Sequence, residues 1–300
     1  MIYYSPGKIL LTAEYAVLEG VKAIALPTKR GQSLAVKYTQ NKSILWKSYT
    51  VDQQLWIDCT FDFNFNCLSS NHTDKKSINQ LKHIFEVLKK MVPHFHKDGI
   101  EISTSLEFPR NWGLGSSSTL INNLAQWLGL NPYALLDKTM GGSGYDVAAA
   151  QSDSAILYQR NKLHPKVKKI SFSPAFKDHL FFVHLNQKRD SREAIASYRK
   201  GRKVSKEQKY RLEKIGEQLL VAPNQNTFNN LLFEHENITA NFLEELPIQE
   251  RLFADFDGQT KSLGAWGGDF ILASGNKNTP DYFKKKGYAT CLPFSHFILT

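Results

Sequence analysis

Apolar residues recur along the chain with two different periods, and these periods predict a mixture of strands and helices. Alternation of apolar and polar residues predicts strands at 32–38, 55–61 and 100–106. Apolar residues three and four positions apart predict a helix over 77–91. Further strands are expected at 9–11, 44–46, 155–158, 166–171, 180–185, 270–273 and the C-terminal end, and further helices over 116–128, after Pro132, from Tyr145, across 191–243 and near 279–286.

Strands and helices alternate in both halves of the chain, which predicts an α+β fold with two layers facing each other across a cleft. The apolar pattern is interrupted at residues 159–162 and again at Pro165. We therefore expect two domains, 1–160 and 161–300. There are no internal repeats and no low-complexity segment, so solenoid and disordered classes are not favoured.

Composition narrows the class of protein. The 300 residues are 42% hydrophobic and 22% charged, as in globular proteins, and Lys plus Arg exceed Asp plus Glu by 38 to 28. The resulting net charge of +10 favours anionic partners, whether phosphorylated metabolites, nucleic acid or an acidic membrane surface. Three cysteines form neither a disulfide framework nor a metal motif, and no segment approaches the roughly 20 apolar residues of a membrane span. No signal peptide is visible. A cytoplasmic protein is expected.

The segment 109–120, PRNWGLGSSSTL, carries the most chemical information. Gly113 and Gly115 allow the backbone to approach an anion closely, since no Cβ intervenes. The serines that follow begin a helix, where unpaired N–H groups and the helix dipole favour phosphate. A serine hydroxyl there can also reach a phosphate-bound Mg²⁺. The alternative is a helix capped by serine after a glycine turn, without a ligand.

Several better-known motifs are absent. Gly7-Lys8 lacks the glycine and the Ser or Thr of a Walker loop, and Ser118 stands at the third glycine of a dinucleotide loop. His235-Glu236 lacks the second histidine of a zinc protease helix, and there is no G-x-S-x-G elbow. A phosphate loop of another kind therefore remains, and hydrolase functions have little support.

Three segments together resemble the signature motifs of the GHMP kinase family (galactose, homoserine, mevalonate and phosphomevalonate kinases). They are residues 5–20 (SPGKILLTAEYAVLEG), the segment 109–120 and residues 261–270 (KSLGAWGGDF), in the family's order. The phosphomevalonate and mevalonate kinase branch is the most similar. The resemblance implies a two-domain GHMP architecture, with a ribosomal-protein-S5-like N-terminal domain that binds ATP phosphates and a ferredoxin-like, acceptor-side C-terminal domain. It also implies ATP and Mg²⁺ as cofactors.

The resemblance also implies roles for individual residues. Asp146, in GSGYDVAAA, would take the proton of the acceptor hydroxyl or orient it, and Lys8 would stabilise the transferring phosphoryl group. ATP phosphates would be held by Gly113, Leu114, Gly115, Ser116, Ser117 and Ser118, with Ser117 nearest Mg²⁺. The acceptor side would comprise Lys188 and Ser191 in the segment NQKRDSR, and Gly264, Ala265, Trp266, Gly267 and Gly268. Glu14 would either contact the nucleotide or pair with a neighbouring base.

Two positions depart from the family pattern. Leu135 stands where mevalonate kinases carry a second acidic Mg²⁺ ligand, and Asp137, two positions further on, lies near the opposite face of its helix. Trp266 stands where the third motif has glycine, so its indole must narrow the acceptor pocket or point away. The first departure favours the phosphomevalonate branch, and the second leaves the acceptor open.

The sequence supports a small-molecule kinase with an anionic acceptor, acting as a monomer or homodimer without nucleic acid or membrane. One alternative is a catalytically silent nucleotide or ligand sensor on the same scaffold. Another is a decarboxylase-like member of the family, and a third is a nucleic-acid-binding protein. The basic stretch 199–211 could recruit an anion, or form a solvated surface between helices.

Overall fold

The fold was determined from a computed structural model that describes residues 1–71, 75–93, 95, 98–161, 164–187, 191–201, 203–266 and 268–300, without the side chains of 191 and 192. The chain forms two compact units. The first comprises residues 1–7, 30–110 and 115–151, and the second comprises residues 8–29, 111–114 and 152–300. Both units are thus discontinuous along the chain, unlike the predicted segments 1–160 and 161–300.

The first unit contains a sheet in the order β5-β4-β3-β6-β2. Its strands are β3 (Ile44–Tyr49), β4 (Leu55–Phe61), β5 (Cys67–Ser70), β6 (Gly99–Leu106) and the second half of β2 (Ala23–Thr39). All neighbours are antiparallel except β3 and β6. The helices are α1 (Lys75–Met91), α2 (Ser116–Leu128), α3 (Pro132–Thr139) and α4 (Tyr145–Ala150).

The core of this unit explains the strongest periodicity in the sequence. The apolar face of α1 packs on aromatic residues of the sheet and its loops, and Phe85 contacts the rings of Trp46, Phe61 and Phe65. Phe61, Phe63 and Phe65 alternate with polar residues in the sequence, a spacing typical of one strand face. All three pack in this core, but β4 ends at Phe61 and the other two lie in the following turn.

The second unit contains the rest of the chain. The strand β1 (Ile2–Leu10) pairs with β2, and it belongs to this unit only from Lys8 onward. The first residues of β2 pair with β7 (Ile156–Gln159), which pairs with β8 (Lys166–Lys169). A four-stranded antiparallel sheet has the order β10-β11-β9-β12. Its strands are β9 (Leu180–His184), β10 (Gln259–Ser262), β11 (Phe270–Ser274) and β12 (Cys291–Pro293). The helices are α5 (Ser191–Lys200), α6 (Lys206–Leu219), α7 (Gln225–Leu243), α8 (Ile248–Leu252), α9 (Thr279–Lys285) and α10 (Phe294–Phe297).

The connectivity of the four-stranded sheet bears directly on the predicted architecture. Helices α5 to α8 connect β9 to β10, which forms a hairpin with β11, and α9 connects β11 to β12. In the sheet, β11 lies between β10 and β9. This is the split β-α-β-β-α-β arrangement of ferredoxin-like domains. The predicted α+β fold is confirmed.

Most predicted elements are present, and four short ones were missed. The strands β5 and β10 and the helices α8 and α10 have five residues or fewer, too few for a period to emerge. None of the described helices is both long and apolar enough to cross a bilayer.

Candidate functional site

The N-terminus of α2 presents an anion-binding geometry in the first unit. Gly115, the residue before the helix, is left-handed with φ 85°, and no side chain caps the helix. Intrahelical bonding begins with the Thr119 N–H, which donates to the Gly115 carbonyl at 2.9 Å. Ser116 is partly buried and Ser117 is exposed. Amides of a first helical turn, together with the helix dipole, favour a phosphate at this place.

Asp146 lies beside this helix within the same unit. The Ser118 hydroxyl donates to Oδ2 of Asp146 at 2.6 Å, and the Val147 N–H donates to Oδ1 at 3.1 Å. The left-handed Gly144, with φ 87°, starts the short helix α4 and places Asp146 in its first turn. The carboxylate is therefore held in one orientation by two donors. Ser118 is buried, so its hydroxyl serves Asp146, whereas Ser117 remains accessible.

Tyr133 is a neighbour of Asp146 that the sequence did not indicate. Burial, together with the negative charge of Asp146, raises the pKa of the Tyr133 phenol to about 12, although a hydrogen bond with Gln151 acts in the opposite direction. Tyr133 therefore stays protonated near neutral pH, so its hydroxyl keeps a proton to donate. Since it lies on α3, thirteen residues before Asp146, no local motif connects the two residues.

The oxygen-rich surroundings of Asp146 fit Mg²⁺ in ligand type. A carboxylate and serine hydroxyls are hard oxygen ligands, and Mg²⁺ is commonly held by one or two carboxylates together with substrate phosphates. Among the described residues, no group of three or more His, Cys, Asp and Glu side chains is placed to bind a metal. A metal here would therefore depend on phosphate oxygens for most of its coordination.

Leu135 stands where the family pattern has a second acidic Mg²⁺ ligand. Its side chain is fully buried in the core of the first unit. Asp137 is exposed, as its helical position predicted. The structure therefore offers no carboxylate at position 135, and Asp137 points to solvent rather than into the core that holds Leu135.

In the second unit, Lys8 contacts the glycine loop through both its backbone and its side chain. Its backbone N–H donates to the Leu114 carbonyl at 3.0 Å, and Nζ donates to the Gly113 carbonyl at 2.9 Å. The end of β1 is thus bound to residues 111–114, and the ammonium lies at the loop. A cation held there favours phosphate by charge as well as by geometry.

Residues 111–114 are themselves anchored to the four-stranded sheet. The Trp112 ring packs edge-on against Phe270 and Phe297, and Nε2 of His184 lies 3.2 Å from the Asn111 carbonyl. Asp269 packs directly against Gly113, so closely that a Cβ there would overlap its carboxylate. The sequence indicated no role for Asp269, because its contact with Gly113 connects two motifs that are far apart along the chain.

Glu14 pairs with a base, which is the second of the two roles that the sequence left open for it. Its side chain is fully buried, and Oε1 accepts a hydrogen bond from Nζ of Lys261, which is equally buried. Nε2 of His235 lies 3.7 Å from Oε2 of Glu14. A carboxylate enclosed in this way has no surface to offer a nucleotide. Its partner is also not a sequence neighbour, since 247 residues separate the two.

Burial shifts the ionisation of this cluster. It raises the pKa of Glu14 to about 7, although the charge and hydrogen bond of Lys261 act in the opposite direction. Burial likewise raises the pKa of Glu236, and it lowers that of His235 well below the usual range, where the charge of Lys261 acts in the same sense. His235 is thus neutral near pH 7.

The third motif forms a tight turn in the second unit. Gly264 is left-handed with φ 61°, and no atom lies within 4 Å of the position that a Cβ would take there. The Ala265 carbonyl accepts a hydrogen bond from the Tyr15 hydroxyl at 2.8 Å. Trp266 is also left-handed, with φ 55°, and its side chain is only 1% exposed. The indole therefore points into the protein. Gly268 is buried, while Gly267 and Lys188 lie outside the described residues, as does the Ser191 side chain.

Several basic side chains of the stretch 199–211 form ion pairs or hydrogen bonds within the second unit. Lys209 forms an ion pair with Glu19, and Arg211 forms one with Glu234. Lys203 donates to the Tyr198 carbonyl and lies over its ring. These contacts favour a structural role for the stretch over recruitment of an anion.

Comparisons with known proteins agree with this architecture. No family model matches the chain. The mevalonate kinase of Methanocaldococcus jannaschii is 24% identical over 210 residues, which cover 65% of this chain and 64% of that protein. The matched segment thus spans a little under two thirds of the curated relative.

Solved structures extend the similarity over the whole chain. A mevalonate kinase structure gives a TM-score of 0.69 at 18% identity, with both chains covered completely. Streptococcus pneumoniae phosphomevalonate kinase, in complex with phosphomevalonate and AMPPNP, gives a TM-score of 0.70 at 14% identity over 95% of each chain. The fold is that of the GHMP kinases. The resemblance to the mevalonate and phosphomevalonate kinase branch is likewise confirmed.

Proposed function

We propose that this protein is an ATP- and Mg²⁺-dependent small-molecule kinase. It transfers the γ-phosphoryl group to a hydroxyl or phosphate of a small, anionic, mevalonate- or phosphomevalonate-like acceptor. The observation that supports this most strongly is the hydrogen bond from Ser118 to Asp146. It holds a carboxylate beside a helix N-terminus suited to phosphate, which is the combination that phosphoryl transfer requires.

In this proposal Asp146 accepts the proton of the acceptor hydroxyl or orients it. Two donors, Ser118 Oγ and the Val147 N–H, leave lone pairs of the carboxylate for that proton. Phosphoryl transfer needs positioning and charge neutralisation more than covalent help, so a fixed carboxylate is sufficient as base or orienter.

Lys8 and the glycine loop supply charge neutralisation. The Lys8 ammonium donates to the Gly113 carbonyl, and its positive charge would stabilise the transferring phosphoryl group. Gly113, Leu114, Gly115, Ser116 and Ser117 would bind the ATP phosphates through backbone N–H groups and hydroxyls. Ser117 and Asp146 would hold Mg²⁺ together with those phosphates, and the ion would supply neutralisation of their negative charge.

The acceptor would bind on the side of the third motif, at residues 264–268 with Lys188 and Ser191. The net charge of +10 fits an anionic acceptor, and three free cysteines fit a reducing, cytoplasmic compartment. Nucleic acid and membranes are not part of this proposal, and the active form would be a monomer or homodimer.

The test is ATP turnover, with and without Mg²⁺, against mevalonate, phosphomevalonate, homoserine and several sugars. Asp146→Ala should lower turnover of the preferred acceptor by about 10²–10⁴-fold, the usual contribution of a positioned acid or base. Asp137→Ala is the matched control, since it removes an exposed aspartate from the same unit. It should leave turnover unchanged.

Binding of AMPPNP, measured by calorimetry, separates the kinase from its alternative. Nucleotide binding without turnover of any acceptor would favour the silent sensor, to which the buried Leu135 lends support because it removes an acidic ligand. Absence of nucleotide binding would contradict the phosphate-binding assignment of α2 and the glycine loop.

A further inference from the structure

Two loops of the second unit are joined by buried polar side chains. The first loop, residues 13–15, follows β1, which carries Lys8, and the third loop comprises residues 264–266. Glu14 and Lys261, together with His235 and Glu236 on α7, form what we call the buried ion network. All four side chains have essentially no exposed surface.

The Glu14–Lys261 pair connects the two loops directly. Lys261 lies on β10, three residues before the third loop, and its Nζ donates both to Glu14 and to the Ser262 carbonyl, the latter at 2.9 Å. Nearby, the Tyr15 hydroxyl donates to the Ala265 carbonyl at 2.8 Å. Adjacent residues of the first loop thus bind β10 and the third loop.

Helix α7 holds the same two segments through adjacent residues. His235 accepts the Ala13 N–H at Nε2, at 2.9 Å, and so is held as the tautomer protonated at Nδ1. Glu236 accepts the Ser262 hydroxyl at 2.7 Å and the Ser262 N–H at 3.1 Å. One turn of one helix therefore fixes both the first loop and the strand that leads into the third loop.

The backbone of these loops is strained where the network holds it. Ala13, Tyr15 and Trp266 have positive φ of 63°, 59° and 55°, which is unfavourable for non-glycine residues. Such strain persists only where surrounding contacts over-determine the conformation, and it concentrates at functional sites. Of these three residues, Ala13 is bonded to the buried ion network directly, through His235, and Tyr15 is bonded to the third loop through the Ala265 carbonyl.

A role in stability alone accounts poorly for this arrangement. Burying charged side chains costs free energy of desolvation, and well-packed apolar residues often replace a buried ion pair without loss of stability. In this protein the buried charges are concentrated where two signature motifs meet. The network therefore has a use beyond holding the fold together.

We propose that the buried ion network positions the third loop relative to the strand that carries Lys8. Glu14 and Lys261 are its principal positioning residues. This inference rests on the proposed kinase function, since the third loop is its acceptor side. The network would set where the acceptor lies relative to the Lys8 ammonium, without contacting the acceptor itself.

The test uses Glu14→Gln, Lys261→Met and the double variant Glu14→Gln/Lys261→Met. Lys169→Met is the control, because it breaks an exposed ion pair with Asp153 in the same unit. Thermal unfolding, KM for acceptor and for ATP, and amide hydrogen exchange are measured for each. The double variant removes both charges of the pair, so neither is left buried without its partner. Its stability should therefore be closer to that of the wild type than the stability of either single variant.

If the buried ion network positions the third loop, the double variant should recover stability but not activity. In the double variant kcat/KM for the acceptor should remain about 10- to 100-fold low, as a small misplacement produces, while KM for ATP stays unchanged. Glu14→Gln should also speed amide exchange at residues 262–266, far along the chain, and leave α6 unaffected. Lys169→Met should change none of these quantities.

Two results would overturn the inference. Recovery of acceptor kcat/KM together with stability in the double variant would make the pair merely structural. Unchanged exchange at residues 262–266 in Glu14→Gln would show that the loops are not coupled, whether or not the protein is a kinase. Failure of the wild type to turn over any acceptor would instead contradict the proposed function, and the exchange measurement would still decide the coupling.

Discussion

Gly113 faces Asp269 at a distance that excludes any side chain: a Cβ on Gly113 would lie 2.0 Å from Oδ2 of Asp269. The same glycine has φ of 64° and offers its carbonyl to Lys8. Position 113 thus requires glycine for conformation and for space. The glycine loop and the third motif are in contact at this residue.

Gly113→Ala should therefore weaken binding of AMPPNP and destabilise the protein. The methyl group forces the loop away from Asp269, and overpacking of this kind costs about 1–3 kcal/mol beyond the strain of a left-handed alanine. Calorimetric titration and thermal unfolding measure the two effects. Gly129→Ala is the matched control, since Gly129 also has φ of 64° but nothing within 4 Å of its Cβ position. Equal losses in both variants would show that the contact with Asp269 is unimportant.

Ser118→Ala tests the orientation of Asp146. Loss of a hydrogen bond to a charged group costs about 1.5–3 kcal/mol, which corresponds to a fall in kcat of about 10- to 100-fold. Steady-state kinetics with the preferred acceptor should show this fall with KM for ATP little changed. Ser152→Ala, which removes a buried hydroxyl bonded to the Ser154 carbonyl, should leave kcat unaltered. A Ser118→Ala variant of normal kcat would mean that Asp146 does not need this donor.

Local patterns in the sequence predicted the parts of the fold that local physics determines. Helix α1 follows from its apolar spacing, and α3 begins at Pro132, where the Asn131 side chain accepts two backbone N–H groups. Strand β2 was predicted only at 32–38, yet it runs over Ala23–Thr39. Pro27 and Gly31 suggest a break, but pairing with β7 on one stretch and β6 on another keeps the strand continuous.

The candidate site was predictable where a motif is contiguous and not where it depends on distant contacts. The serines of α2 were found from the glycine turn before them, and Asp146 was found from the resemblance of its segment GSGYDVAAA to the GHMP kinases. Lys261 was not, because a lysine in a short polar strand is ordinarily exposed, and its partner Glu14 is 247 residues away. No local pattern indicates such a pair, since only the tertiary fold brings its members together.

Leu135→Asp tests whether the departure from the mevalonate kinase pattern can be reversed. Leu135 is fully buried among apolar residues, so an aspartate there would be an unpaired buried charge and should cost about 3–5 kcal/mol of stability. Thermal unfolding should show the loss, and Mg²⁺ should not restore it. Leu135→Met keeps the volume and should stay close to the wild type. A stable Leu135→Asp variant with stronger Mg²⁺-dependent nucleotide binding would contradict this expectation.

The buried ion network should also give stability a specific dependence on pH. Burial raises the pKa of Glu14 to about 7, above its unfolded value of 4.5, so the folded state binds the extra proton between these values. The contribution of Glu14 to the free energy of unfolding is therefore greatest below pH 4.5 and declines as pH rises to about 7. Glu236, whose pKa is raised by burial, acts in the same direction. His235 acts in the opposite direction, because its lowered pKa makes stability rise with pH up to about 6.5.

Comparison with Glu14→Gln isolates the contribution of Glu14, because glutamine resembles the protonated acid at every pH. Free energies of unfolding from denaturant titrations at pH 4.5 to 8 should show the wild type losing stability relative to the variant up to about pH 7, with a constant difference above it. Lys169→Met, in an exposed pair, should run parallel to the wild type through this window. A difference between wild type and Glu14→Gln that stays flat from pH 4.5 to 7 would mean that Glu14 is ionised throughout, held so by Lys261.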